Sequence, residues 1–259
     1  MNYGFIGFGN LGRALYLSLK DDKNLSFAYV SKNNKRKDIR SMKNIPALVS
    51  FSDVVWLCVK PSDLPEVLAE LRKTELNGKT IVSPVAGIDL AFIRKNLGKG
   101  PELIRIMPNL AIAYKKSVTA FCADKKNSVK AKIIRRVLLR SGRVIDLPEK
   151  HFDLFTAVFG SGPAFLLEIM RVFGNMIKEL GIAEKDVNLL LADLMAGTLV
   201  HFRKNQNKKT IADLIGGIAS KGGTTEAGLA YFKKKNLDEL LAGVITAARD
   251  RSKKLNTKA

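Results

Sequence analysis

The stretch Tyr3-Gly4-Phe5-Ile6-Gly7-Phe8-Gly9-Asn10-Leu11-Gly12 decides the fold of this chain. Tyr3–Ile6 reads as a short apolar strand, and Asn10–Leu19 continues with helical spacing. Between them Gly7, Gly9 and Gly12 fit the pattern G-x-G-x-x-G. The motif alone is weak, but it follows a strand and opens a helix, which is the context that gives it weight. Gly7 permits the tight turn, Gly9 lets a pyrophosphate approach the backbone, and Gly12 lets the helix pack on the strand. The free N–H groups at the helix start, those of Asn10 and Leu11 among them, then bind phosphate charge. A glycine-rich turn without a ligand is the plainer alternative.

Outward from this motif, strand-like and helix-like segments alternate. Phe27–Val30 is a second strand. Val54–Val59 is an unbroken apolar run, as expected of a strand buried on both faces. Pro61 closes it, and Leu64–Leu71 is amphipathic. Thr80–Ser83, Leu103–Met107, Val118–Cys122 and Val144–Leu147 are further strands, and Lys126–Leu139 is a helix. This βαβ rhythm predicts an α/β Rossmann domain, a parallel sheet with helices on both faces, over residues 1–150. After Pro148 the pattern becomes helical: Ala164–Leu180, Glu184–Lys204, Thr210–Ile218, Thr225–Lys233 and Leu237–Leu255. Residues 151–259 are therefore expected to form a second, all-α domain. Its helices are apolar on more than one face, so packing between subunits is expected, as a homodimer or a larger homo-oligomer.

Bulk properties exclude several classes. Hydrophobic residues make up 46% and charged residues 26% of the 259, which suits a soluble globular protein rather than a disordered one. No uninterrupted apolar run reaches a membrane span; the greasiest, Leu189–Val200, contains Asp193. No signal-peptide pattern opens the chain. Cys58 and Cys122 make neither a disulfide framework nor a metal site, so a cytoplasmic location is expected. Lys and Arg number 44 against 24 Asp and Glu, a net charge of +20. A nucleic-acid binder has such a balance. Here, however, the cations are spread along the chain with little aromatic interleaving, and a solvated basic surface explains them better.

The end of the second strand selects the cofactor. An NAD enzyme presents Asp or Glu there for the ribose 2′-hydroxyl. Here the residues are Val30-Ser31-Lys32-Asn33-Asn34-Lys35-Arg36, a hydroxyl and several cations without a carboxylate. Ser31, Lys32 and Arg36 suit a 2′-phosphate, which favours NADPH, with NADH possible if these cations are ordinary loop charges.

Five further segments carry a resemblance. They are Ser52-Asp53-Val54-Val55-Trp56-Leu57-Cys58-Val59-Lys60-Pro61, Ser83-Pro84-Val85-Ala86-Gly87-Ile88, Arg105-Ile106-Met107-Pro108-Asn109, Gly160-Ser161-Gly162-Pro163-Ala164-Phe165 and Ser220-Lys221-Gly222-Gly223-Thr224-Thr225-Glu226-Ala227-Gly228-Leu229. With the opening motif, and in this order, they resemble the pyrroline-5-carboxylate reductases over nearly the whole chain; the last two are the specific ones. The resemblance implies hydride transfer from NADPH to the C=N of 1-pyrroline-5-carboxylate, giving L-proline, the last step of proline biosynthesis. It places Val59, Lys60, Pro61, Ala86 and Asn109 around the cofactor, with Lys60 at the reacting end. It implies that Ser220, Gly223 and Thr224 hold the substrate carboxylate and that the Thr225 hydroxyl meets the ring nitrogen. It puts Glu149 near the substrate, although Glu149 also reads as a helix N-terminal charge. Many members have Pro where Lys221 stands; the backbone pattern survives that exchange.

The segments also have physical readings of their own. Gly222-Gly223 before a helix starting near Thr225 exposes N–H groups that suit a carboxylate, or is an ordinary N-cap. Pro163 in a first helical turn costs nothing, because its missing N–H has no helical partner there. His151 and His201 lie in no matched motif. Catalysis is therefore expected to rest on placing the imine and the hydride donor together. The competing readings are a related imine or β-hydroxyacid oxidoreductase and, more remotely, a basic nucleic-acid-associated protein on a reductase fold.

Overall fold

A computed structural model describes residues 1–32 and 36–256. Among them, eight strands form one sheet in the order β3-β2-β1-β4-β5-β6-β7-β8. The strands are β1 (Asn2–Ile6), β2 (Ser26–Val30), β3 (Arg40–Ser41), β4 (Val54–Leu57), β5 (Thr80–Ser83), β6 (Glu102–Met107), β7 (Ser117–Ala123) and β8 (Gly142–Asp146). The helices between them are α1 (Asn10–Leu19), α2 (Ile45–Phe51), α3 (Leu64–Leu71), α4 (Leu90–Leu97) and α5 (Val129–Leu139).

The pleat sorts the side chains into two cores. Tyr3, Phe5, Val54, Trp56, Ile104 and Ile106 face the layer that holds α1 and α5. Their sheet neighbours Ile6, Val55, Leu57, Ile81 and Leu103 face α2, α3 and α4. A strand buried on both faces has to be apolar at consecutive positions, which is why Val54–Leu57 is an unbroken run.

Two features differ from the sequence-based expectation. The sheet is not wholly parallel: β7 pairs antiparallel with β6, and β8 then runs parallel to β7. The link between β6 and β7, residues 108–116, holds only a short 3-10 turn at Leu110–Tyr114, and a parallel crossover needs about a dozen residues or more. Helices α2 and α4 also lie in stretches that carry no helix in the sequence reading. Each has a side-chain cap: Asn44 accepts from the Ala47 N–H at 3.0 Å, and Asp89 accepts from the Phe92 N–H at 2.7 Å.

Beyond β8 the chain is helical: α6 (Phe152–Phe155), a π turn at Thr156–Gly160, α7 (Gly162–Lys178), α8 (Glu184–Asn205), α9 (Ile211–Ile218), α10 (Thr224–Lys234) and α11 (Leu237–Asn256). The compact units divide later than residue 150. The first runs from Met1 to Gly162 and takes the chain back from Ile245 onward, and the second is Pro163–Val244. Within the first unit the buried Ser252 hydroxyl of α11 donates to Asp153 at 2.6 Å. The second unit buries little of its own apolar surface. Leu166, Leu167, Val172, Phe173, Met176 and Leu189 are all exposed.

One helical stretch among the described residues, Glu149–Lys178, is long and apolar enough by composition to cross a membrane, and 17% of its most apolar window is buried. The π turn and the Glu168–Arg171 ion pair interrupt this stretch.

Candidate dinucleotide cleft and substrate loop

The strand order reverses at β1, which lies between β2 and β4. In such sheets the crevice at the C-terminal strand ends of this switch point takes the ligand. Here it is a cleft of about 330 Å³ that gathers Gly7, Gly9, Ser31, Lys32, Val59 and Lys60, all singled out from the sequence. Ile6, Phe8, Val30, Ile45, Cys58, Asp63, Glu66, Val67 and Glu70 also line it, and none of these belonged to the sequence-based site.

The glycines divide their work. Gly7 has φ +81°, and a Cβ there would stand 2.5 Å from the Cys58 carbonyl oxygen. A Cβ on Gly12 would stand 2.9 Å from the Gly7 carbonyl oxygen and 3.2 Å from the Cys58 Cβ, so its absence lets α1 sit close on the β4 end. A Cβ on Gly9 would meet nothing within 4 Å. That open space lies against the first turn of α1, where no side chain caps the N–H groups and no acidic residue stands. The chain thus has a helix start without a side-chain cap or a carboxylate, and the open approach that a pyrophosphate needs.

Cys58 lines this cleft, and burial pushes its thiol pKa far above the usual range. Lys60 is exposed at the start of the short turn Pro61–Asp63. Lys32 donates to Glu66 Oε2 at 2.8 Å, and the Glu66 carboxylate, followed by Asp63 and Glu70, holds the Lys32 ammonium above its usual range. The backbone N–H of Arg36 donates to the Tyr29 hydroxyl at 2.7 Å, and Arg36 does not line the cleft. Asn33, Asn34 and Lys35 lie outside the described residues.

Other singled-out residues hold the scaffold together. Asn109 Oδ1 accepts from the Ala111 N–H at 3.1 Å, and its Nδ2 donates to the Phe159 carbonyl at 2.9 Å, which ties the end of β6 to the π turn. Glu149 Oε1 accepts from the Leu90 N–H at 3.0 Å and from Arg105 at 3.0 Å. Arg105 is buried, and its guanidinium lies 4.6 Å from the Phe152 ring centre. Glu149 is therefore a charge at a helix start, that of α4, and the counter-ion of Arg105. Ala86 sits in the turn between β5 and α4, partly buried against the cluster of Met107, Ala120, Phe152 and Phe155.

In the second unit, Ser220-Lys221-Gly222-Gly223 leads into α10, which begins at Thr224. Gly222 has φ +73°, and its N–H donates to Glu226 Oε2 at 2.6 Å. A side chain at Gly223 would collide with the Ser220 hydroxyl. Gly223 caps α10 without a side-chain bond, so the N–H groups at Thr224 and Thr225 stay uncapped by any side chain.

The family model for pyrroline-5-carboxylate reductase dimerisation matches residues 149–255, and the model for NADP oxidoreductase, coenzyme F420-dependent, matches residues 2–87. The pyrroline-5-carboxylate reductase of Aquifex aeolicus is 30% identical over 98% of this chain and 97% of its own. That of Staphylococcus epidermidis is 28% identical over 100% and 99%. Among solved structures, the 1-pyrroline-5-carboxylate reductase of Streptococcus pyogenes has a TM-score of 0.88 at 25% identity, covering 98% of each chain. The Plasmodium falciparum pyrroline carboxylate reductase with NADP bound shares the fold, with a TM-score of 0.92 at 21% identity over 99% and 98%. Similarity of this extent, end to end and in one order of motifs, means that the chain belongs to the pyrroline-5-carboxylate reductase family.

Proposed function

We propose that the protein reduces the C=N bond of 1-pyrroline-5-carboxylate with NADPH, giving L-proline. The observation that carries this reading is the cleft at the β1–β4 switch point, where Gly7, Gly9, Ser31, Lys32, Val59 and Lys60 converge beside the uncapped start of α1. Gly9 and the first turn of α1 hold the pyrophosphate. Ser31 and Lys32 meet the adenosine ribose and its 2′-phosphate, and Val59, Lys60 and Pro61 flank the strand end toward the reacting ring. A bound NADPH supplies the hydride for the imine carbon.

The chain's own residues do the rest. The uncapped N–H groups at the start of α10, with Ser220, Gly223 and Thr224, take the substrate carboxylate. The Thr225 hydroxyl oxygen accepts a hydrogen bond from the protonated ring nitrogen and so orients it. Positioning supplies most of the acceleration, because the imine enters already protonated. In this reading Asn109 and Glu149 act as supports, since their side-chain bonds are spent on the π turn, on Arg105 and on α4.

The exposed apolar faces of α7 and α8 are taken up by a second copy of the chain, in a cytoplasmic homodimer or larger homo-oligomer. The protein is expected to sediment as a dimer or larger, and the double change Leu166→Glu with Phe173→Glu as a monomer. A monomeric wild type removes this part of the proposal.

The direct test follows NADPH oxidation by purified protein with 1-pyrroline-5-carboxylate, with NADH in parallel. Turnover is expected. NADPH binding without turnover would leave the cleft standing and move the substrate to another imine. Thr225→Ala is expected to lower kcat by at least roughly tenfold, because the iminium loses the partner that orients it toward the hydride, with KM for NADPH unchanged. An unaltered kcat takes Thr225 out of the mechanism.

A further inference from the structure

The cations after β2 are only half of what a 2′-phosphate would meet. Lys32 reaches across the cleft to Glu66 Oε2 at 2.8 Å, and Asp63 and Glu70 line the same wall. Positions 63, 66 and 70 follow helical spacing, so one face of α3 and the turn before it presents three carboxylates to the adenosine end of the cleft. Both partners of the pair are largely exposed, so it exchanges readily for another ion.

We infer that Glu66 sets the cofactor discrimination of this cleft: it competes with a 2′-phosphate for Lys32 and offers the ribose 2′-hydroxyl of NADH an acceptor in place of the missing phosphate. The inference rests on the dinucleotide reading of the cleft. Its physical basis is that the two cofactors differ only at that position. A phosphate monoester carries about −1.5 to −2 charges at neutral pH, while a hydroxyl is neutral and can donate a hydrogen bond. A carboxylate repels the first and accepts from the second, which is the role that Asp or Glu plays at the end of the second strand in NAD enzymes. In this chain the carboxylate comes from α3, after β4. The Lys32-centred cleft therefore distinguishes the cofactors less than its cations alone would allow.

Glu66→Gln removes the charge and keeps a hydrogen-bonding side chain on an exposed surface. Calorimetry on the full-length protein reads affinity for adenosine 2′,5′-bisphosphate against adenosine 5′-monophosphate, independently of any imine. The variant is expected to raise the bisphosphate-to-monophosphate affinity ratio about 1.5- to fivefold at low salt, the range of an exposed ion pair, with the gain shrinking as salt is added. The ratio of kcat/KM for NADPH over NADH should move the same way. In a Lys32→Ala background the same change should raise the ratio by clearly less, because part of its effect passes through Lys32. Both nucleotides binding with an unchanged ratio overturns the role of Glu66 and leaves the cleft assignment intact. Neither nucleotide, nor NADPH, binding to the wild type overturns the cleft assignment and the inference with it.

Discussion

Gly7→Ala is expected to abolish measurable NADPH binding and to lower folding stability. Gly7 sits at φ +81°, where an L-residue with a side chain is strained by roughly 1–3 kcal/mol. The new Cβ would also lie 2.5 Å from the Cys58 carbonyl oxygen, 2.8 Å from its carbon and 2.9 Å from Val59 Cγ1. Neither side of that contact can give way cheaply. The Gly7 N–H is bonded to the Val30 carbonyl at 2.9 Å, and the Cys58 N–H to the Ile6 carbonyl at 2.8 Å. Crowding of this kind adds about another 1–3 kcal/mol. The turn would have to lift away from the ends of β2 and β4, which are two walls of the cleft. Gly9→Ala separates binding from folding. Gly9 has φ −74°, and its Cβ would touch nothing, so the urea midpoint should stay put while the methyl group occupies the approach to the α1 start. Affinity for NADPH should fall steeply in both variants and stability in the first alone. Undiminished affinity in Gly9→Ala would remove the pyrophosphate from that position.

The second large effect is structural. Arg105→Ala should cost about 3 kcal/mol, the lower end for breaking a buried ion pair, since Glu149 keeps 28% of its side-chain surface exposed. The loss has three parts. Glu149 loses its counter-ion while still held to the Leu90 N–H. Phe152 loses the guanidinium over its ring. A cavity opens between β6 and α6. The buried Arg105 Nε has no hydrogen-bond partner, so the pair is incompletely satisfied even in the native protein, and an apolar exchange of both residues should be tolerated better than either single loss. Urea unfolding of Arg105→Met, Glu149→Leu and the double variant checks this. The double variant is expected to be more stable than Arg105→Met alone. Simple additivity of the two single effects would show that the pair is not coupled.

Sequence by itself determined what depends on local geometry. The strand–turn–helix at Tyr3–Leu19, the doubly buried run at Val54–Leu57 and the long helical periods after Gly162 were legible because each reports a backbone conformation within a few residues. The same holds for Gly7 and Gly223, whose lack of a side chain is demanded by atoms of neighbouring turns. Two helices escaped that reading although Asn44 and Asp89 stood ready as caps, because Ile45–Phe51 and the opening Leu90-Ala91-Phe92-Ile93 are nearly continuous apolar runs in which no helical period emerges. The antiparallel turn at β7 followed from the shortness of residues 108–116, a constraint that apolar patterning does not report. Only the tertiary structure decided the partners of the charged groups. Lys32 meets Glu66 across 34 positions, Arg105 meets Glu149 across 44, and Glu149 meets the Leu90 N–H across 59. A carboxylate's role is set by which cation or N–H the folded chain brings within about 3 Å of it, and no local pattern encodes that distance.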